Sequence, residues 1–411
     1  MKSRIQNPKP KIVVVGAGPS GASLAIRLLR ENFRVVLIER EKFPRHKLCG
    51  EFISPECLAH FRELGVLDEM QAAGGERITE TVFYAPDGKS VRVPSKWFNN
   101  NESGALSLSR AEMDFRLLEK AKAVGVEVLE EHSAINLLSE KDKICGVKLR
   151  AKDGAVKEVF TDLLIDATGR AGILGKMISR KDAKAQRKDE IINQRLKTKD
   201  QRPKLVGFKA HLKNVNLGKG VCEIYFFRGG YGGLSFVENN LANHCFLIKA
   251  DIVREFSGDA NKIVKQVIFQ NRRAYETLKN AEAVQDWLAV SIDGFGQKIL
   301  NLAPNLLAVG DAAAFIDPFT GSGMLMAMES AEILAQTITE NALSPEKIAE
   351  HYKILCKKKF QKRLRVCSLL RQAAFVPNFA KAAISALSLS GKAREILVHS
   401  TRQTLLARKM K

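Results

Sequence analysis

The hydrophobic pattern of the chain first becomes regular at residues 11–39, KIVVVGAGPSGASLAIRLLRENFRVVLIE. The apolar, β-branched run Ile12–Val15 predicts a strand that is buried on both faces. Apolar residues then recur with helical spacing over Ala22–Leu29, and Phe33–Ile38 is predicted to form a second buried strand. This stretch is therefore predicted to form a strand–helix–strand unit with parallel strands.

Further apolar runs extend this pattern and predict a second sheet after it. In the first half the predicted strands are Ile78–Tyr84, Ser90–Val93, Glu127–Glu131, Ala134–Leu138, Ile144–Arg150, Val156–Thr161 and Leu163–Asp166. The later strands are Leu205–Leu212, Val221–Phe227, Gly233–Val237, Cys245–Ala250 and Leu306–Gly310, and the first four of them predict a mostly antiparallel sheet. Helical spacing covers Asn261–Phe269 and Met324–Thr339, and three helices are predicted from Pro345 onward, separated near Pro377 and Gly391.

Glycines at 16, 18 and 21 stand between the first predicted strand and its helix. Gly16 permits a sharp turn out of the strand, Gly18 a close approach to a pyrophosphate, and Gly21 tight packing of the helix on the sheet. Glu39 ends the second strand 18 residues after Gly21, where a carboxylate binds a ribose 2′-hydroxyl and repels a 2′-phosphate. This context predicts a site for FAD or NAD rather than NADP, and the motif alone leaves those two open.

The predicted elements give an α/β fold with a Rossmann-like nucleotide-binding domain. The predicted regions are this domain at 1–175 (with residues 75–105 contributing to the second sheet's layer), an inserted, mostly antiparallel sheet domain at 176–295, a return to the first domain at 296–342, and a basic helical region at 343–411. Residues Lys176–Lys204 are polar and highly charged, so they are predicted to form a loop or a solvated helix.

The net charge of +21 is concentrated in two segments. Lys176–Lys204 has eleven basic and four acidic residues, and Lys353–Lys411 has fifteen basic and one acidic, so the remaining chain is neutral. Such surfaces attract anionic membrane lipids, acyl carriers or acidic proteins, and a merely solubilising surface is the open alternative. No zinc-finger, RNP-like or basic-zipper pattern is present, which argues against a nucleic-acid partner.

Cysteine usage and the N-terminal sequence indicate a cytoplasmic protein. The seven cysteines are odd in number and include no C-x-x-C pair, which argues against a disulfide framework and against a metal site. The N-terminus has no apolar signal-peptide core, and no uncharged apolar run reaches the roughly 18 residues of a membrane span. Peripheral contact with the inner face of a membrane stays open because of the basic C-terminal segment.

Three later stretches add candidate cofactor contacts. Residues 164–170, LIDATGR, form a buried strand that ends in a small-residue turn, and Arg110 begins a helix from which it can reach a phosphate. Residues 306–324, LLAVGDAAAFIDPFTGSGM, place Asp311 after another buried strand, where it can accept from a ribityl hydroxyl. The glycines that follow let the backbone pass close to a flat ring at a helix N-terminus.

From Lys11 to about Asn341 the chain resembles the FAD-dependent oxidoreductases that share the fold of para-hydroxybenzoate hydroxylase. Within that group it is most similar to the geranylgeranyl reductase family. The motifs that carry this resemblance are Phe43-Pro44-Arg45, Cys49-Gly50, Ser54-Pro55, Asp166-Ala167-Thr168-Gly169 and Asp317-Pro318-Phe319 with Gly321 and Gly323. The resemblance implies FAD as the cofactor, and a Cys-Gly stretch that lines the flavin and substrate cavity.

Carried over by position, the resemblance names candidate site residues. The cofactor residues are Gly16, Ala17, Gly18, Pro19, Ser20, Gly21, Glu39, Arg40, Arg45, Gly50, Arg110, Ala134, Thr168, Gly169, Gly310, Asp311, Pro318, Gly321, Ser322, Gly323 and Met324. Cys49 is the candidate catalytic residue, as a proton donor or a modulator of the flavin, with a small buried hydrophobe as the alternative. The aromatic residues Tyr225, Phe227, Tyr231 and Phe236 are candidates for a substrate wall, with sheet core as the alternative.

The resemblance implies reduction of C=C bonds in an apolar prenyl or lipid-like substrate by hydride transfer from the flavin. A monooxygenase acting on an aromatic or polyketide-like substrate is the alternative. A halogenase is disfavoured because Trp97 and Trp287 are the only tryptophans and form no Trp-x-Trp-x-x-Pro stretch, and a non-catalytic flavin protein is disfavoured by the complete motif set. Departures from the family's aromatic motif at residues 225–236 leave the substrate open. The electron donor, NAD(P)H, reduced flavin or ferredoxin, is also open.

Overall fold

The computed structural model describes residues 9–98, 104–141, 143–179, 205–292, 294–375 and 379–401. Strands β1 to β22 are Lys11–Val15, Arg34–Ile38, Phe52–Ile53, Glu76–Ile78, Glu80–Tyr84, Ser90–Pro94, Ala105–Ser107, Glu127–Leu129, His132–Glu140, Lys143–Ala151, Val156–Phe160, Leu163–Asp166, Leu205–Lys213, Val221–Phe227, Gly230–Phe236, Ala242–Lys249, Glu282–Ala283, Leu288–Ile292, Gly296–Gln297, Asn301–Ala303, Leu306–Ala308 and Ala314–Phe315. Helices α1 to α11 are Pro19–Arg30, Pro55–Leu64, Leu67–Ala72, Arg110–Ala123, Ala250–Glu255, Ala260–Gln266, Arg272–Leu278, Gly323–Glu340, Pro345–Ala374, Phe379–Ser388 and Gly391–Thr401. Residues 173–179 are also helical.

The first sheet has the strand order β20-β21-β12-β1-β2-β8, and β1 lies inside it. β1 pairs in parallel with β12 and β2, with Val14 opposite Ile165 and Leu37. Alternate residues of β1 enter two cores, Ile12 on the side of α1 and α8, and Val13 on the side of the three-stranded sheet β9–β11. Because both faces are covered, β1 is apolar throughout, as its sequence predicts.

The second sheet is mostly antiparallel and follows the order β17-β13-β16-β15-β14-β5-β6, with β18 paired to β13. Its early strands β5 and β6 come from residues 80–94, and β5 pairs in parallel with β14. One face packs on α5, α6 and α7, and the opposite face, which we call the inner face, contacts residues 47–51 of the first domain.

The predicted fold class, a Rossmann-like domain with a second antiparallel sheet and a helical C-terminal region, is confirmed by this architecture. Some boundaries differ: β16 begins at Ala242 rather than Cys245, and Ala250 opens α5 instead of ending a strand. The predicted loop or solvated helix at 176–204 lies outside the described residues from position 180 onward.

In the described part of the chain, none of the helices combines the length and the apolar character that crossing a bilayer requires.

Candidate functional site

The turn from β1 to α1 is closed by glycines that leave no room for a side chain. Gly16 has a φ of +106°, and a Cβ atom there would lie 2.3 Å from the backbone oxygen of Ala167. A Cβ atom on Gly21 would lie 1.8 Å from the backbone oxygen of Gly16. At Gly18 the nearest atom would be Arg110 Nη2, 3.9 Å away, so this position is open toward Arg110.

Two helices present N-termini without side-chain caps at this turn. Helix α1 is preceded by Gly18, begins with Pro19 and has no acidic residue in its first turn. Helix α8 is preceded by Ser322, whose side chain does not cap it, and also has no acidic residue in its first turn. Gly310 lies between these helices, since a Cβ atom there would be 2.4 Å from Ser20 Oγ. Free N–H groups and helix dipoles at these ends favour anionic groups.

Glu39 lies at the end of β2 with 7% of its surface exposed. Its carboxylate accepts hydrogen bonds from the backbone N–H groups of Ala17 at 2.9 Å, Arg40 at 3.0 Å and Glu41 at 3.1 Å. The carboxylate is thus fixed beside the glycine turn, where the sequence predicts a ribose. The Arg40 side chain instead points to Glu41 on the surface, with 3.1 Å between Nε and Oε1.

A cluster of three cations surrounds Asp114 on α4. The Arg110 guanidinium donates to both carboxylate oxygens of Asp114, at 2.8 and 2.6 Å, and Arg45 Nη1 donates to Oδ2 at 2.8 Å. Burial acts to raise the pKa of Asp114, but Arg110, Arg45 and Lys47 outweigh it and hold the pKa below its usual value. The cluster therefore carries an excess of positive charge next to Gly18.

Lys47 completes this cluster and was not among the residues that the sequence predicts. Its Nζ lies 3.5 Å from the Cβ position of Gly169. Lys47 as a whole residue is exposed to solvent. Desolvation of its ammonium group by the surrounding protein, followed by the charges of Arg110 and Arg45, lowers the pKa of Lys47 to about 8, although Asp114 and Asp311 act in the opposite direction. The sequence feature that could have indicated Lys47 is its position in the loop between Phe43 and Cys49.

The loop after β12 is held by Asp166, which is fully buried. Its carboxylate accepts from Thr168 N at 2.9 Å and Thr168 Oγ1 at 2.6 Å, and also from the backbone N–H groups of Leu174 and Gly175. These bonds place Gly169, with a φ of +70°, opposite Lys47.

Asp311 follows β21 on the other side of the site. Burial raises the pKa of its carboxyl group, while Lys47 and Arg110 act to lower it. Lys298 Nζ donates to the backbone oxygens of Asp311 at 3.1 Å and Arg170 at 3.0 Å, so it joins the two loops. The structure therefore places Asp311 near the cation cluster, and its role toward a ribityl chain stays a prediction.

The segment from Asp317 to Met324 joins this site to the second sheet. Asp317 Oδ1 accepts from Phe319 N at 2.8 Å and from Tyr231 Oη on β15 at 2.6 Å. Burial raises the pKa of Asp317, and its hydrogen bonds and Arg371 act to lower it. Gly321 has a φ of +61° and packs against Phe52, since a Cβ atom there would lie 2.9 Å from the Phe52 ring.

The Cys49–Gly50 loop lies against the inner face of the second sheet. Glu51 N donates to Cys49 Sγ at 3.4 Å, and Asn243 Nδ2 donates to Cys49 O at 3.1 Å. Cys49 is half-buried and lies beside the Arg110 guanidinium, whose pKa it acts to raise. A Cβ atom on Gly50 would meet nothing within 4 Å, so the backbone here is open.

A fully buried ion pair fastens this loop to the sheet. Lys209 Nζ on β13 is paired with Glu51 Oε1 and donates to Lys47 O at 3.2 Å. His211 Nε2 lies 2.7 Å from Glu51 Oε2, and Arg110 N donates to Oε1 at 2.7 Å. Burial acts to raise the pKa of Glu51, but His211 and Lys209 lower it overall. The sequence does not predict this cluster, because Glu51 and its partners on β13 are about 160 residues apart and form no motif.

The structure does not bring the four predicted substrate aromatics together. Tyr225, Phe227 and Phe236 pack in the core between the sheet and helices α5–α7, on the face opposite the site. Tyr231 lies on the inner face, with its ring 5.2 Å from Phe319 and 6.1 Å from Phe375 between centroids. A substrate role stays a prediction for Tyr231, whereas the other three stabilise the sheet core.

Most of the predicted cofactor residues lie around one site. The turn residues 16–21, Glu39, Arg45, Arg110, Thr168, Gly169, Gly310 and Asp311 surround it, with Gly50 and the segment of Pro318, Gly321, Ser322, Gly323 and Met324 extending it toward the second sheet. Ala134 lies on β9, two residues after His132, whose N–H donates to Glu39 O at 2.8 Å. Their roles toward a cofactor stay predictions. No group of His, Cys, Asp and Glu suited to a metal ion occurs within the described residues.

The low pKa of Lys47 predicts a pH dependence of anion binding at this site. Because Lys47 loses its charge above about pH 8, the affinity of the apoprotein for a dinucleotide should fall as pH rises from 7 to 9, by at most about tenfold per pH unit. Flavin fluorescence quenching by the apoprotein measures this affinity. Lys47→Met should weaken dinucleotide binding at pH 7 and abolish the dependence of affinity on pH. Lys42→Met, an exposed change in the same loop, should keep the pH dependence of the parent protein. An unchanged pH dependence in Lys47→Met would contradict this prediction.

Comparison with known proteins identifies the group to which this site belongs. A model of the FAD binding domain family matches residues 9–358 of the chain. The chain is 24% identical over 369 residues to a digeranylgeranylglycerophospholipid reductase of Thermoplasma volcanium, covering 86% of this chain and 85% of that protein. The predicted cofactor, FAD, and the resemblance to flavin-dependent oxidoreductases are confirmed.

Two further matches are to proteins named for different reactions. The chain is 29% identical over 160 residues to a squalene monooxygenase of Panax ginseng, covering 38% of this chain and 29% of that protein. The chain spans only about a third of the length of this monooxygenase, and about a third of a flavin-dependent halogenase of Armillaria mellea that it also matches. A solved flavin-dependent brominase shares the fold, with a TM-score of 0.72 at 18% identity, covering 95% of this chain and 93% of that chain.

Proposed function

The chain belongs to the FAD binding domain family, and from this premise we propose that it reduces C=C bonds in an apolar, prenyl or lipid-like substrate. FAD-dependent oxidoreductases and monooxygenases both occur among its relatives. The match to the reductase extends over nearly the whole of both proteins, whereas the match to the monooxygenase covers about a third of each.

The residues of the site fit FAD. The uncapped start of α1 and the cluster of Arg45, Lys47 and Arg110 would hold the pyrophosphate, and Glu39 would hold the adenosine ribose. Asp311 would accept hydrogen bonds from the ribityl chain. When bound, the flavin supplies the hydride that adds to one carbon of the double bond.

The observation that supports an apolar substrate is an aromatic cluster beside the Asp317–Met324 segment. Phe319 packs against Phe226 and Tyr231 of the inner face, at centroid distances of 5.8 and 5.2 Å. Phe83 and Phe375 complete the cluster. The Tyr231 hydroxyl donates a hydrogen bond to Asp317, so the rest of the ring offers an apolar contact surface. A substrate that contacts this cluster would be a hydrocarbon rather than a charged molecule.

Cys49 is the proposed proton donor for the second carbon of the double bond. Proton transfer from Sγ leaves a thiolate beside the Arg110 guanidinium. Glu51 N also donates to Sγ and fixes its position. With hydride added to one carbon and this proton to the other, the product gains two hydrogens, and solvent restores the thiol.

Replacing Cys49 tests this role. In Cys49→Ala we expect FAD affinity to be retained and turnover to fall by roughly 100-fold or more, the usual contribution of general acid catalysis. Cys145→Ala, a half-buried cysteine on the remote β10, serves as the matched control and should keep full turnover. Equal turnover of Cys49→Ala and the parent protein under single-turnover conditions would remove Cys49 from the mechanism.

Product mass tests the proposed reaction. The holoenzyme is incubated under nitrogen with dithionite and a prenyl lipid, and the lipid is analysed by mass spectrometry. We expect a gain of two hydrogens for each bond reduced, without any requirement for oxygen. An electron donor is required in the cell, and NAD(P)H, reduced flavin and ferredoxin can be compared in place of dithionite.

A monooxygenase is the second candidate, and the similarity to squalene monooxygenase favours it. It would add one oxygen atom to an apolar substrate, and only in the presence of oxygen. The same aromatic cluster would suit both substrates. A product that gains oxygen in air, with no product under nitrogen, would select this candidate over the reductase.

A further inference from the structure

Helix α9, Pro345–Ala374, has one buried face and one solvent face. Its buried face packs Tyr352, Cys356 and Phe360 into the core that it shares with α8. Arg363 on that face is paired with Glu329 of α8, at 2.6 Å between Nη1 and Oε2. These contacts fix which side of α9 faces outward.

The solvent face combines cations with exposed apolar residues. We call this the outer α9 face, and its residues are Ile354, Lys357, Lys358, Lys362, Arg365 and Leu369. Ile354 is 56% exposed and Leu369 is 67% exposed, although both are large and apolar. The positions 354, 358, 362, 365 and 369 follow helical spacing, so one stripe has apolar ends and a cationic middle.

Three cations of this face, Lys357, Lys362 and Arg365, carry its unpaired charge among the described residues. From His351 to Arg394 the sequence contains no Asp or Glu. Lys359, Arg363 and Arg371, which lie outside this face, form ion pairs with Glu329 and Asp317. The outer α9 face is therefore a positive surface that needs an anionic partner.

The shape of the face also suits lipid. An open groove of about 640 Å³ runs along it, lined by Ile354, Val366 and Leu369 together with the stems of the basic side chains. Lysine and arginine place their alkyl stems on apolar surface and their charges toward headgroups. A nucleic acid would satisfy the charge but would leave Ile354 and Leu369 without an apolar environment, which the acyl-chain boundary of a bilayer supplies.

We propose that the outer α9 face docks on a bilayer that contains anionic phospholipids. The cations would contact headgroup phosphates, and Ile354 and Leu369 would enter the boundary between headgroups and acyl chains. Docking rests on this surface alone and does not depend on the reaction proposed above, so the two can fail separately.

Vesicle sedimentation of the full-length holoenzyme tests the docking. We expect binding to vesicles of equal phosphatidylcholine and phosphatidylglycerol at low salt, weaker binding at high salt, and little binding to phosphatidylcholine alone. Lys362→Glu with Arg365→Glu should weaken binding by roughly tenfold or more. Lys152→Glu with Lys262→Glu changes the charge equally at exposed sites elsewhere and should bind like the parent protein.

A second pair of variants tests the apolar contacts. Leu369→Ser should weaken the vesicle binding that persists at high salt. Ile299→Ser changes a residue that is 70% exposed and lies outside this face, and it should leave that binding unchanged. Parent-like thermal unfolding and FAD content confirm that each variant is folded. Three results would each overturn the proposal. They are equal vesicle binding by the two charge-reversed proteins, no binding of the parent protein to anionic vesicles at low salt, and tighter binding to an oligonucleotide than to vesicles.

Discussion

Gly21→Ala is expected to remove most of the FAD from the purified protein. A methyl group at this position would lie 1.8 Å from the backbone oxygen of Gly16, so α1 must move away from β1. That movement displaces the start of α1, which we propose as the pyrophosphate site. We expect the FAD dissociation constant to rise by roughly 100-fold or more, with a loss of about 1–3 kcal/mol in unfolding free energy from overpacking.

Gly294→Ala provides the control for this substitution. A Cβ atom there would meet nothing within 4 Å, and the residue is not among the predicted cofactor residues. This variant should retain FAD and the parent unfolding free energy. The dissociation constants are measured by fluorescence titration of the apoproteins, and parent-like FAD affinity in Gly21→Ala would show that the glycine turn does not hold the cofactor.

Lys209→Met is expected to have the largest effect on stability. The change leaves the Glu51 carboxylate fully buried and without its cation, which typically costs about 3–5 kcal/mol. Lys213→Met lies four residues later on the same strand, where the lysine forms an exposed ion pair with Glu282. This matched control should lose no more than about 1 kcal/mol. Urea unfolding of both variants measures the difference.

The pH dependence identifies Glu51 as the cause. The folded protein lowers the pKa of Glu51, so its stabilising contribution is complete above the unfolded pKa of about 4.3 and is lost as pH falls through the lower folded value. In Lys209→Met this contribution is diminished, so the difference from the parent protein should be largest at neutral pH and shrink toward acid pH. Adding Glu51→Gln should recover part of the stability. A pH-independent difference would attribute the loss to packing alone.

The cofactor half of the molecule was predictable because its signals are local. The run Ile12–Val15, the glycine spacing and Glu39 are close in sequence, and each has a direct physical reason in the strand–helix–strand unit. The segment around Asp311 was also visible, since a buried strand precedes it. FAD rather than NAD followed from the resemblance and is confirmed by the family match.

The substrate half was less predictable because it depends on pairing between distant segments. Alternation along β14 shows that Tyr225 and Phe227 share one face, but not which face meets the first domain. The structure places them against helices α5–α7 and places Tyr231 on the inner face. Similarly, Lys209 and Glu51 are 158 residues apart and meet only after the second sheet docks on the loop.

Anaerobic reoxidation of the reduced holoenzyme tests the proposed reductase most directly. The bound FAD is reduced with one equivalent of dithionite under nitrogen, and a lipid with prenyl double bonds is then added in the absence of oxygen. We predict that the absorbance of oxidised flavin returns at a rate that rises with lipid concentration, while the lipid gains two hydrogens. A flavin that stays reduced until oxygen is admitted, with oxygen appearing in the lipid, would contradict this account.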